Sequence, residues 1–93
     1  MSVELSLDKA EWQLEEVRLH LSAAGGASEN FAVALVSGEG SRWNTSLHAQ
    51  DMNAETDDQY LPTRPLWFRK SDAVKFTYTN TNSKQWGLEV IYR

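Results

Sequence analysis

Two histidines, one acidic run and four tryptophans are the residues of this chain with chemistry to offer. An acid–base or nucleophilic centre needs a nucleophile, a base and a group that orients the base. His20 and His48 are the only histidines. Neither is followed by a second at metal-ligand spacing, so no His-x-His grip on a metal is formed. His20 shares parity with Arg18, opposite Val17, Leu19 and Leu21, and reads as an ordinary outward strand residue; His48 reads the same way. The serines and threonines fall in turns and on strand faces, with no Gly-x-Ser-x-Gly elbow. Gly38-Glu39-Gly40 opens no helix and lacks the later glycine of a phosphate-binding loop. No catalytic residue, cofactor or metal site is assigned, and the expectation is a protein that is not an enzyme.

The acidic run comes closest to a ligand set. Asp51, Asn53, Glu55 and Asp57 stand at every second position, as the first ligands of a calcium loop do. The match then breaks, because the sixth position is Thr56 instead of glycine and the twelfth is Pro62 instead of glutamate. The plainer reading is a solvated acidic loop. Among the tryptophans, Trp12 and Trp86 share strand faces with aliphatic residues and are expected in the core, and Trp43, in step with Thr45 and Leu47, is expected to be partly buried. Trp67 and Phe68 are neighbours in an extended segment and cannot both point inward. One of them must face solvent or a partner chain, and exposed aromatics mark protein interfaces or sugar-binding faces. The candidate interface is therefore Pro62, Arg64, Pro65, Trp67, Phe68 and Arg69.

The elements that must carry these residues are strands, since the apolar period is two almost throughout. Val3, Leu5 and Leu7 alternate, then Asp8–Glu11 turns. From Trp12 the parity is first that of Trp12 and Leu14, then that of Val17, Leu19 and Leu21. One extra residue at Glu15-Glu16 would restore a single buried face, so a β-bulge is predicted there. The alternative, an amphipathic helix over Asp8–Arg18, fits less well because Val-Arg-Leu-His-Leu alternates cleanly. Ala23–Ser28 is a loop. Phe31, Val33 and Leu35 form a strand joined by Ser37–Ser41 to the Trp43, Thr45, Leu47 strand, a predicted hairpin. Ala49–Gln59 is expected to be an exposed loop. Tyr60–Phe68, with two prolines, should be an edge strand or extended connector. Arg69–Asp72 turns into Val74, Phe76 and Tyr78. Asn80–Lys84 reads as a polar hairpin loop leading to Trp86, Leu88, Val90 and Tyr92. Seven to eight such strands predict an all-β fold, a two-sheet antiparallel sandwich or jelly roll, as a single domain over residues 1–93.

Composition narrows the function. A chain of 93 residues is one domain at most, and burial covers roughly 60–70% of the surface its unfolded form exposes. The absence of cysteine removes disulfides and thiolate metal sites. A net charge of −4 disfavours nucleic acid as the main partner. Arg64, Arg69, Lys70 and Lys75 gather locally but read as a solvated rim. The N-terminus lacks a basic region followed by an apolar run, and Phe31–Val36, the longest apolar stretch, is too short to cross a membrane. Neither nucleic acid nor membrane is expected as a partner.

The stretch from Tyr60-Leu61-Pro62-Thr63-Arg64-Pro65-Leu66-Trp67-Phe68 through Arg69-Lys70-Ser71-Asp72 and Val74-Lys75-Phe76-Thr77-Tyr78, ending Trp86-Gly87-Leu88-Glu89-Val90-Ile91-Tyr92, resembles small β-sandwich structural proteins of tailed bacteriophage virions. Val17–Ser22, Phe31–Leu35 and Trp43–Leu47 extend the resemblance over most of the chain, as a pattern without a diagnostic motif. It implies a non-catalytic virion part: a capsid decoration protein, a neck or tail adaptor, or a fibre base. Its partners would be other virion proteins and further copies of itself. The implied location is the virion, after synthesis in the host cytoplasm. A carbohydrate-binding sandwich, with Trp67, Trp43 and the Asn80-Thr81-Asn82 loop as its platform, is the alternative.

Overall fold

The computed structural model describes residues 1–93, which form eight strands and one turn of 3-10 helix. The strands are β1 (Ser2–Leu5), β2 (Glu11–Leu21), β3 (Asn30–Val36), β4 (Thr45–Asp51), β5 (Asp57–Tyr60), β6 (Leu66–Arg69), β7 (Ala73–Thr77) and β8 (Trp86–Tyr92). The helical turn, Ser41–Trp43, lies between β3 and β4. All pairings are antiparallel, in two sheets. One sheet has the order β1-β7-β3-β4. The other is built on β2, with β8 on one side and β5 and β6 in tandem along the other. This is the two-sheet sandwich expected from the alternation.

The long strand β2 carries the predicted bulge. Leu14 pairs with Tyr92 and Glu16 with Ile91, leaving Glu15 as the extra residue. That single insertion lets Trp12, Leu14, Val17, Leu19 and Leu21 all face inward, each at most 1% exposed. Facing them from the other sheet are Phe31, Val33, Val74 and Phe76, with Tyr78 just beyond β7. Phe68 stacks on Trp12 with ring centroids 4.7 Å apart, and Tyr92 meets the same indole edge-on at 6.2 Å. Each fully buried side chain of this size contributes about 1.5–3 kcal/mol.

Four expectations are corrected. The acidic segment is mostly strand: β4 runs to Asp51 and β5 begins at Asp57, so only residues 52–56 are irregular. Within that short loop Met52 is fully buried. Its low apolar content misled because a strand paired on one side only tolerates polar residues at most positions. Asn80–Lys84 is no hairpin loop, since β7 and β8 lie in different sheets and the segment crosses between them. Asn80 (φ 56°) closes this turn, its side chain accepting from the Lys84 N–H and donating to the Lys84 carbonyl, both at 2.9 Å. Trp43 is 60% exposed, because the 3-10 turn swings it outward before β4 begins. Trp86 is 42% exposed, because β8 is an edge strand with no neighbour to cover its first residue.

Both ends of the sandwich are tied. At one end Gly25 donates to the Met52 carbonyl at 3.0 Å, and Asn82 Nδ2 donates to the Gly25 carbonyl at 2.8 Å. A Cβ on Gly25 would sit 2.5 Å from Tyr78 Oη and 2.6 Å from the Met52 carbonyl, so only glycine fits. At the other end the nearly buried Asp72 accepts from Gly38 N–H at 2.9 Å and from Arg69 N–H at 3.0 Å. These bonds, chiefly that of Gly38, hold its carboxyl below the usual carboxylate range.

Candidate functional site

The outer face of the β2 sheet gathers most of the polar chemistry. Since Val17, Leu19 and Leu21 point inward, strand alternation sends Arg18 and His20 outward. Register then sets their neighbours: His20 lies between Asp57 and Gly87, and Arg18 between Gln59 and Glu89. The resulting open groove has a volume of about 610 Å³. Gly87 leaves a gap in its floor, with nothing within 4 Å of the position a Cβ would take.

The side chains of this face pair with one another. His20 Nδ1 lies 2.6 Å from Asp57 Oδ1, and Thr56 Oγ1 donates to Asp57 Oδ2 at 2.8 Å. The His20 contact, then that of Thr56, lowers the Asp57 carboxyl below its usual range. Arg18 pairs with Glu16 and reaches Glu89 at 3.7 Å. Gln59 Nε2 donates to Glu16 at 3.0 Å, and this bond and the Arg18 guanidinium lower the Glu16 carboxyl. The imidazole–carboxylate contact orients a ring, which is one part of an acid–base centre; its hydrogen bond is to Asp57.

The second histidine has a different task. His48, on β4, places Nε2 2.7 Å from Asp58 Oδ2 and stacks on Tyr60 with centroids 4.9 Å apart. Asp58 and Tyr60 belong to β5 in the other sheet, so the cluster bridges the two sheets along one flank. Consecutive aspartates thus serve two histidines on opposite faces, Asp57 outside and Asp58 within. Sequence reading missed both pairs because it placed Asp57 and Asp58 in a loop. Asp-Asp-Gln-Tyr has no apolar alternation, so nothing in the sequence marked this strand or its pairings.

The calcium-like spacing does not converge. Asp51 accepts from Ser28 Oγ at 2.8 Å and from Asn53 N–H at 2.9 Å, while Asp57 turns to His20. No group of three or more histidine or acidic side chains is placed to hold a metal ion.

The six candidate interface residues divide. Phe68 is 3% exposed in the core and offers no surface, whereas its neighbour Trp67 is 61% exposed. Pro62 is half-buried, and Arg64 and Pro65 are exposed on the connector between β5 and β6. Arg69 shares the outer face of β6 with Trp67 and contacts Glu39 at 3.3 Å. It also lines a shallow groove with Trp43, Glu39 and Asp72. Arg69 therefore stands beside two exposed tryptophans, Trp67 on its own strand face and Trp43 across the groove. The Asn80-Thr81-Asn82 turn lies at the end of the molecule opposite Asp72, and there Thr81 binds Glu29. The seven residues of β3 separate the two ends by about 20 Å, so this turn cannot join the two tryptophans in one platform.

Comparison of the chain with protein-family models, with curated proteins and with solved structures returns no match.

Proposed function

We propose that this chain is a non-catalytic assembly module acting through protein–protein contacts, as a decoration or neck or tail adaptor part of a tailed-phage virion would. The observation that supports this reading is the Trp67–Arg69–Trp43 set: two tryptophans at least 60% exposed, Trp67 on the strand face of Arg69 and Trp43 in the groove that Arg69 lines, on a frame tied at both ends. Tryptophan and arginine are the side chains that concentrate binding energy at protein interfaces. The exposed Arg64 and Pro65 extend the patch along the connector, and other virion proteins are its expected partners.

The test is the protein content of purified tailed-phage particles from the source of this sequence. The chain is expected there in stoichiometric amount, and a Trp43→Ala/Trp67→Ala variant is expected to be lost from particles while remaining folded. Absence of the wild-type chain from such particles would overturn the reading.

One observation favours a second reading. The groove of Arg18, His20, Asp57, Gln59 and Glu89 presents the donors and acceptors that bind sugar hydroxyls. It contains no Trp, Tyr or Phe ring to stack on a pyranose face, so it ranks below the patch. Binding on a glycan array, abolished by Gln59→Ala, would promote it.

A further inference from the structure

The sandwich has exposed edges, and they are not equally protected. The β1 edge is only four residues long, with its N-terminal ammonium bonded to the Tyr78 carbonyl at 2.6 Å. The β5–β6 edge is two short strands broken by Pro62 and Pro65. The β4 edge is disrupted by a register shift opposite Val33 and Ala34. Short strands, prolines and bulges are the ordinary defences of a sheet edge. Strand β8 lacks these three: it is seven residues long, contains no proline, and the bulge in its ladder lies on β2, leaving Glu89 as its one charge.

The free side of β8 can be read residue by residue. Arg93 exchanges both backbone bonds with Gln13, and the Gln85 carbonyl accepts from Ser22 N–H. Odd-numbered residues of this strand thus turn their N–H and C=O toward β2, and the alternation turns those of Trp86, Leu88, Val90 and Tyr92 to the open edge. This set is self-complementary. An antiparallel second copy, related by a two-fold axis through Glu89, sets Trp86 opposite Tyr92 and Leu88 opposite Val90, so every one of these groups finds a partner. The exposed Ile91 then covers the gap above Gly87 of the other copy. On the inner face, aromatic meets aromatic and aliphatic meets aliphatic, which are favourable cross-strand pairs. One contact opposes association: Glu89 faces its own copy. Arg18, 3.7 Å from Glu89 in each protomer, partly offsets that repulsion.

We propose that two copies of this chain associate edge to edge through β8, joining their β2 sheets into one continuous sheet across a two-fold axis. The pairing is isologous and closed, as a homodimer requires. It deepens the assembly reading, on which it rests, by giving the module its like partner, and it uses a surface separate from the Trp67–Arg69–Trp43 patch.

The experiment is solution mass of the full chain by light scattering or sedimentation over a wide concentration range, for wild type and three variants. Wild type is expected to dimerise. Glu89→Gln is expected to tighten the dimer by about two- to fivefold, the scale of a cross-strand like-charge pair. Mixing wild type with Glu89→Lys should favour the mixed dimer over either homodimer. Val90→Pro removes an edge N–H that β2 does not use, and is expected to give a folded monomer. A wild type that stays monomeric at millimolar concentration, or a dimer indifferent to Val90→Pro and to the charge at position 89, overturns the proposal. Either result leaves the particle-content test untouched, so failure of the edge pairing and failure of the virion reading are separately visible.

Discussion

Trp67 and Phe68 are adjacent, chemically alike, and opposite in consequence. Phe68 stacks on the buried indole of Trp12, whereas Trp67 faces solvent. Phe68→Ala is expected to destabilise the protein by about 3–5 kcal/mol, through lost transfer energy plus the cavity left behind. Trp67→Ala should change stability by no more than about 0.5 kcal/mol. Urea denaturation of the two variants checks this, and equal effects would contradict the orientation of β6. Asp72 is the corresponding polar case: its two backbone donors, on Gly38 and Arg69, lie far apart in the sequence, so its carboxylate ties the β3–β4 connection to the end of β6. Asp72→Ala leaves both N–H groups without an acceptor and is expected to lose about 1–3 kcal/mol, read as a lower urea midpoint. Asp72→Asn, which keeps one acceptor oxygen, should lose less.

At the scale of elements, the bulge in β2 decides which residues form the core. Without Glu15, Trp12 and Leu14 would fall on the opposite face from Val17, Leu19 and Leu21. Deleting Glu15 therefore forces two large side chains out of the interior, at about 3–6 kcal/mol. That is comparable to the whole stability of a domain this size. The expected outcome is loss of the cooperative thermal transition and of the near-ultraviolet dichroism of the packed tryptophans. Substituting Glu15 with Ala, which keeps the residue count, should leave both intact. This bulge was legible in the sequence because the parity switches at Glu15-Glu16, and the clean alternation of Val-Arg-Leu-His-Leu favoured a bulged strand over a helix. The extents of β4 and β5 were not, since Ala49–Asp51 and Asp57–Tyr60 carry too few apolar residues to announce a strand. They are strands because β3 and β2 offer them free backbone groups, which is a tertiary circumstance.

For the molecule as a whole, titration bounds the stable range from both sides. The carboxyls of Asp51, Asp57, Asp72 and Glu16 are all lowered in the folded state by hydrogen bonds. A lowered folded value means that each group's contribution is present above the unfolded value, about pH 4, and is lost as pH falls through the folded one. Tyr78 and Tyr60 are raised, Tyr78 by burial and then by the nearby charges of Glu29 and Asp51, Tyr60 by burial. A raised value has the opposite consequence: the contribution is complete below the unfolded value, about pH 10, and is lost as pH rises through the folded one. Urea midpoints measured from pH 2 to 12 should show a plateau between these limits. Tyr78→Phe is expected to blunt the alkaline fall without altering the acid limb.

The sequence by itself determined the class of this protein: an antiparallel sandwich with a bulged central strand and a core led by Trp12, Val17, Phe31 and Phe76. It did so because side-chain alternation is a local property, written in each strand's own residues. It also implied that one of Trp67 and Phe68 must face out. Which one, and whether Trp43 and Trp86 would be covered, depended on neighbours far along the chain. Only the tertiary structure paired His20 with Asp57 and His48 with Asp58, brought Trp43 to the groove that Arg69 lines, and left β8 as the open edge. Those outcomes follow from which strands become sheet edges and which loops share an end of the sandwich, and non-local pairing decides both.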